Sequence, residues 1–223
     1  MPGFLQIRRW TMLAAVILLV PAVQASGQET GFSPPEPPSP DFTLGIGYAS
    51  LGIGDDALAS EDALRFDGAV SFAPLSSMPQ FRLGGAFGTA LVLDDSRRTI
   101  VTDEGVLVTG TGDIPLLFLE PELRLSWRQY LGANEVFYIE PGIGGGGLFA
   151  NLSIDADDGS GDSFDEWEST LTARAFLNIG FEVTGGMAGL QVSYMRGGDI
   201  EFGEGADGEV DELYIGIFGA LRF

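Results

Sequence analysis

The stretch Asp211 to Phe223, D-E-L-Y-I-G-I-F-G-A-L-R-F, decides the fold. Successive side chains of a β-strand point to opposite faces. A strand here puts Leu213, Ile215, Ile217, Leu221 and Phe223 on one side, with Glu212, Tyr214, Phe218 and Arg222 on the other. The first face is hydrocarbon throughout, too apolar for a strand lying on water. The sequence stops on Phe223, and no tail is expected to cover that face.

The same alternation runs back to Asp41. Phe42, Leu44, Ile46 and Tyr48 oppose small or polar residues. Leu64, Phe66, Val70 and Phe72 oppose Arg65, Asp67, Ala69 and Ser71, and Phe81, Leu83, Phe87, Leu91 and Leu93 oppose Arg82, Gly84 and Ala86. Leu117, Leu119, Leu123, Leu125 and Trp127 face away from Glu120, Glu122, Arg124, Ser126 and Arg128. Phe137, Ile139, Ile143 and Phe149 oppose Tyr138, Glu140 and several glycines. Leu171, Leu177, Ile179, Phe181 and Val183 oppose Arg174, Asn178 and Glu182, and Leu190, Val192 and Tyr194 oppose Gln191 and Ser193. That makes about eight strands, an even number that fits a small closed membrane barrel. Short connections at Leu75–Gln80, Tyr130–Glu135 and Thr184–Met187 alternate with longer, acidic or polar ones at Ile53–Glu61, Asp94–Gly112, Asp155–Glu166 and Arg196–Val210. The second long connection carries its own β signal, T-I-V-T and V-L-V-T, expected as a hairpin tip beyond the barrel.

The predicted fold is therefore an all-β, closed, antiparallel, eight-stranded up-and-down transmembrane β-barrel over residues 41–223. Apolar side chains face lipid and charged ones face a narrow lumen that side chains fill. Arg65, Asp67, Arg82, Glu120, Glu122, Arg124, Arg128, Glu140, Arg174, Glu182 and Arg222 are the expected interior ion-pair network. Phe42, Phe72, Phe81, Trp127, Phe137, Phe181 and Phe223 lie on the apolar parity beside the short turns or the ends, as an aromatic girdle at one membrane interface would. A lipocalin-like barrel reverses this sense: Leu119, Leu125, Ile179 and Ile217 would meet in a dry centre, with Arg124 and Arg174 in water.

With its alternation, its asymmetric connections and its final Phe223, residues 41–223 resemble the small OmpA/OmpX/Opa-like outer-membrane barrels. The resemblance implies an outer-membrane location with both termini periplasmic. It also implies contact with membrane lipid and lipopolysaccharide, and recognition of Phe223 by the outer-membrane assembly machinery. The sequence departs from OmpA in having no peptidoglycan-binding domain after the barrel, so no cell-wall tether is implied.

Composition narrows the function. Residues 1–25, with Arg8-Arg9, the apolar run Met12–Val20 and Val23-Gln24-Ala25, read as a secretory signal peptide, against the alternative of a membrane anchor. Residues 26–40 contain P-P-E-P-P-S-P and read as an extended periplasmic linker or a docking site for a partner. There is no lysine; without Arg8 and Arg9, nine arginines face 32 acidic residues, a net charge of −23. That surface repels nucleic acid, which binds through lysine and arginine on its phosphates. Cysteine is absent, so neither a disulfide nor a thiolate metal site can form. Histidine is absent as well, which disfavours the barrel-borne acyltransferases, lipases and proteases that resemble one another in using a catalytic histidine. No cofactor is expected.

Three further features have competing readings. Gly142, Gly144 and Gly147 match G-x-G-x-x-G, but no helical period follows, and glycines on a barrel wall relieve crowding. Asp155, Asp157, Asp158 and Asp162 crowd one loop, and Glu201, Glu204, Asp207, Glu209 and Asp211 another. Such oxygen ligands could hold calcium or magnesium, or could be solvated acidic loops. Asn151-Leu152-Ser153 fits a glycosylation sequon, discounted in a bacterial chain. The interior carboxylates serve either a structural network, a gated ion path or a catalytic dyad. The expected function is accordingly a non-enzymatic structural or surface-interaction barrel. The alternatives are a narrow channel or transporter for small polar solutes, a secreted lipocalin-like binder, and an enzyme working through Glu120 or Glu122.

Overall fold

The computed structural model describes residues 40–53, 58–92, 98–101, 107–111, 116–132, 135–156, 163–202 and 206–222. Among these the strands are β1 (Asp41–Ile53), β2 (Leu58–Phe72), β3 (Phe81–Val92), β4 (Arg98–Val101), β5 (Leu107–Thr111), β6 (Leu116–Trp127), β7 (Gln129–Leu131), β8 (Phe137–Ala156), β9 (Ser163–Val183), β10 (Gly186–Phe202) and β11 (Ala206–Arg222).

Eight of them wall a closed antiparallel barrel. The hydrogen-bonded path runs β8, β6, β3, β2, β1, β11, β10, β9, and β9 pairs back onto β8. Neighbours in this wall are neighbours in sequence except at the seam, where β1 pairs with β11 from Asp41↔Arg222 to Ile53↔Val210. β7 continues β6 beyond Arg128 against β8. β4 and β5 form the hairpin expected between Asp94 and Gly112, and β5 pairs with the far end of β8. The barrel thus has a turn end, where Asp41, Arg222 and the short connections lie, and a loop end. At the turn end Thr184-Gly185 joins β9 to β10 in two residues, with Gly185 at φ 80°, a conformation glycine adopts without strain.

Alternation has the predicted sense in the turn-end half. Leu125, Ile179 and Ile217 are exposed on the outer wall, whereas Arg65 and Arg174 are buried inside. Outward residues of β9 from Leu171 to Val183 are apolar. At ~3.3 Å per residue and a tilt of ~40°, that run stands about 30 Å high, the thickness of a bilayer's hydrocarbon core.

The loop-end half departs from expectation. β8 and β9 have 20 and 21 residues, about twice what a spanning strand needs. Beyond the apolar belt the sense inverts. Leu51, Ile53, Val92, Phe118, Leu148, Leu152, Ile154, Ile200, Phe202 and Val210 point inward and are buried, while Asp155, Asp165, Asp199, Glu201 and Glu209 face outward and are exposed.

Ile53–Glu61, Asp155–Glu166 and Arg196–Val210 are accordingly not long loops. The paired strands run through them and leave only residues 54–57, 157–162 and 203–205 between. The sequence pattern loses phase for two physical reasons. Water outside the upper wall makes outward residues polar and leaves the inward ones to form a core. On β10 the register also shifts between Arg196 and Asp199, a bulge that flips inward parity from Met195 to Ile200.

Candidate functional site

The barrel interior holds three stacked layers. At the turn end, Asp41 of β1 is fully buried and accepts from three arginines: Arg82 at 2.8 Å, Arg128 at 2.6 Å and Arg222 at 3.2 Å. Arg128 also donates to Glu140 at 2.6 Å, and Arg222 to Glu182 at 2.9 Å. Ser126 and Tyr130 hydroxyls donate to Glu140 and Glu182, each at 2.6 Å. The Arg128 guanidinium lies 4.9 Å from the centre of the Tyr138 ring, a cation–π distance.

The central layer is more deeply buried. Arg174 reaches three carboxylates: Glu122 at 2.5 Å, Glu212 at 2.6 Å, and Glu120. Arg65 donates to Glu212 at 2.7 Å, Glu120 at 2.8 Å and Asp67 at 3.3 Å. Arg124 joins Asp67 at 3.2 Å to Glu122 at 2.8 Å. Their closeness follows from the wall. Glu122 lies in register with Ala86 of β3 and Gly146 of β8, and Arg174 with Gly144 of β8, so glycines or alanine beside the long side chains leave room for them inside. Between these two layers is a cavity of about 40 Å³ lined by Arg124, Glu140 and Gln191 and by the rings of Tyr138, Phe176 and Phe218, space for a few waters and not for a solute.

The third layer, nearest the loop end, is the apolar plug of Phe118, Leu148, Leu152, Ile154, Met195, Phe202 and their neighbours. Charge below and hydrocarbon above therefore share one barrel.

All eleven sequence-predicted network residues are inward on their strands, and every one makes at least one ion pair. Sequence reasoning missed Asp41 and Glu212, the two carboxylates that tie the seam strands to the rest. Each lies on the inward parity of its own strand, which was the available signal.

Of the aromatics, Phe42, Phe72, Phe137 and Phe181 are exposed on the outer wall at the turn end, and Phe81 and Trp127 are half-buried there. Phe81 pairs with Trp127 across β3 and β6. Phe137 pairs with Phe181, their rings 6.3 Å apart. Phe223 lies outside the described residues. A second set went unnoticed in the sequence: outward Tyr48, Trp167 and Tyr194 mark the loop-end border of the belt. The Tyr48 hydroxyl bonds Asp62, and that of Tyr194 donates to Asp211 at 3.4 Å, as amphipathic rings at a water boundary do.

The remaining candidates separate. Gly142 and Gly144 face inward and Gly147 outward, so they form no common cradle. Asp155 is exposed at the end of β8, whereas Asp157, Asp158 and Asp162 lie outside the described residues. No group of three or more metal-ligating side chains occurs among the described residues.

Comparison with solved structures decides the architecture. Neisserial surface protein A superposes with a TM-score of 0.54 at 10% identity, covering 84% of this chain and 100% of that one. The fold is that of a small eight-stranded outer-membrane β-barrel. Lower similarity is found to Ail, the attachment invasion locus protein of Yersinia pestis (TM-score 0.44, 15% identity, 83% and 99% covered). It is found also to the N-terminal β-barrel domain of Pseudomonas aeruginosa OprF (0.42, 10%, 81% and 98%). No protein-family model and no curated protein matches the sequence. For an outer-membrane barrel, the pattern of charge inside and hydrocarbon outside in the belt is the arrangement lipid requires.

Proposed function

We propose that this chain is a non-enzymatic outer-membrane barrel with a structural or surface-interaction role, presenting an acidic rim above the membrane rather than conducting through it. One observation carries the reading: the fully buried apolar plug at the loop end sits on the ion-paired central layer, and together they fill the barrel section. Sealed in this way, the lumen serves the wall, and the surface left for a partner is the outer rim of Asp62, Asp165, Asp199, Glu201 and Glu209.

On this reading residues 1–25 direct secretion, 26–40 form a periplasmic spacer, and both termini are periplasmic with the loop end outside. Phe223 is then available to the assembly machinery, and the girdle of Phe42, Phe72, Phe81, Trp127, Phe137 and Phe181 sits at the periplasmic interface. The acidic rim stands beside lipopolysaccharide phosphates, where divalent cations at Asp155 and its loop neighbours would bridge like charges. The test pairs two measurements on purified barrel. Unheated protein should migrate differently from boiled protein on an SDS gel, and planar bilayers containing it should show no discrete conductance. Regular single-channel steps would replace this reading with the narrow-channel one.

A further inference from the structure

The central layer is one positive charge short. Among the described residues it contains three cations, Arg65, Arg124 and Arg174, and four carboxylates, Asp67, Glu120, Glu122 and Glu212. The turn-end layer is balanced, Arg82, Arg128 and Arg222 against Asp41, Glu140 and Glu182. A lone ionised carboxylate in a dry interior is costly, because no water solvates it and no partner offsets it.

The geometry singles out which carboxylate carries the surplus. Glu122 has both oxygens engaged, one by Arg174 and the other by Arg124. Glu212 likewise gives one oxygen to Arg174 and the other to Arg65. Glu120 differs: Arg65 and Arg174 both converge on its Oε2, and its Oε1 is buried with no hydrogen-bond partner. Above Glu120 on β6 the next inward residue is Phe118 of the apolar plug, so water does not reach it from the loop end.

We infer that the central layer takes up one further monovalent cation at Glu120 Oε1, and that the barrel interior is electrically complete only with it. A proton and an alkali ion share this chemistry, each placing a single positive charge on the bare oxygen. The other ionisable group facing the layer, Tyr214 of β11, adds no positive charge, and neither histidine nor lysine exists in the chain to supply one. The site is distinct from the acidic rim, which faces water and takes its counterions from it.

The substitution Glu120→Gln provides the test, because a neutral amide keeps a carbonyl on Arg65 and Arg174 and removes the surplus charge. In detergent micelles E120Q should unfold within about 2 °C of the parent, whereas E122Q, which strips a partner from two arginines, should fall by roughly 10 °C. Two arms separate the sources. If the ion is a proton, ¹³C-glutamate-labelled parent protein at neutral pH shows an infrared band of a protonated carboxyl that E120Q lacks. If it is an alkali ion, replacing choline chloride by NaCl or KCl at equal ionic strength raises the parent's midpoint and leaves that of E120Q unmoved. The infrared and alkali measurements on the parent stand even if E120Q fails to fold. A parent showing neither signal overturns the inference, as does a folded E120Q as damaged as E122Q.

Discussion

Asp41 and Arg222 face each other across the seam that closes the barrel, the Arg222 Nε donating to Asp41 Oδ1 at 3.2 Å. Asp41 is the hub of the turn-end layer, since Arg82 and Arg128 reach its other oxygen. Asp41→Asn keeps the shape and leaves three guanidinium groups around a neutral amide. Removing one partner of a buried pair costs about 3–5 kcal/mol. Urea unfolding in micelles should register a loss in that range, and the unheated gel band should convert to the unfolded position at a lower temperature than the parent's.

Arg174 and Arg196 predict opposite outcomes for the same chemistry. Arg174 is buried and splits its guanidinium among Glu120, Glu122 and Glu212, with Ser193 accepting a further bond at 3.0 Å. Lysine has one compact ammonium and cannot hold three separated carboxylates, so Arg174→Lys should destabilise by several kcal/mol, on the order of 3 or more. Arg196 pairs with Glu209 on the exposed upper wall. Arg196→Ala should cost at most about 1 kcal/mol, and less in high salt. A chemical-denaturation series at low and high NaCl checks both.

Adjacent glycines on β8 should behave differently. A Cβ on Gly146, which faces inward, would run into the Pro121 carbonyl and the Glu122 Cα, backbone atoms that cannot swing aside. One on outward Gly145 meets only the Thr172 carbonyl at 3.6 Å, an ordinary contact. Gly146→Ala should cost about 1–3 kcal/mol through overpacking, and Gly145→Ala should be near neutral. Equal effects in denaturant midpoint would contradict the inward placement.

The belt was legible in the sequence because lipid outside and charge inside force each strand to alternate with one fixed sense. Eleven residues of the interior network could be read from parity alone. What parity could not give was the partners: that Arg174 reaches across to β6 and β11 depends on three-dimensional closure, not spacing. Asp41 and Glu212 escaped because the same face of their own strands carries no cation within two residues, only Thr43 beside the one and Val210 and Tyr214 beside the other. The loop-end half was misread because its outward residues are solvated, as in any hydrophilic loop, while Ile200 and Phe202 lie on the far side of a bulge that breaks phase. The tyrosines of the upper border were counted as ordinary apolar positions, their hydroxyl bonds to Asp62 and Asp211 being invisible without the register.

The point at which the wall leaves the membrane can be tested with three substitutions to the same residue. Leu123 is 73% exposed on the outer wall within the belt, where arginine must sit in hydrocarbon. Leu123→Arg should cost about 2–4 kcal/mol when folding is followed in lipid vesicles, since charge at the bilayer midplane carries that penalty. Ser153 is outward on β8 above the belt, beside Asp155 and paired with Asp165, so Ser153→Arg should be neutral or slightly favourable there. Leu152, one residue away, points inward into the plug and is fully buried. Leu152→Arg should abolish folding in vesicles and micelles alike, because its charge has no partner in a dry core. Tryptophan fluorescence and gel mobility on refolding read all three. A penalty at Ser153 as large as that at Leu123 would mean that lipid reaches the loop end, and the inverted alternation there would have to be explained by something other than water.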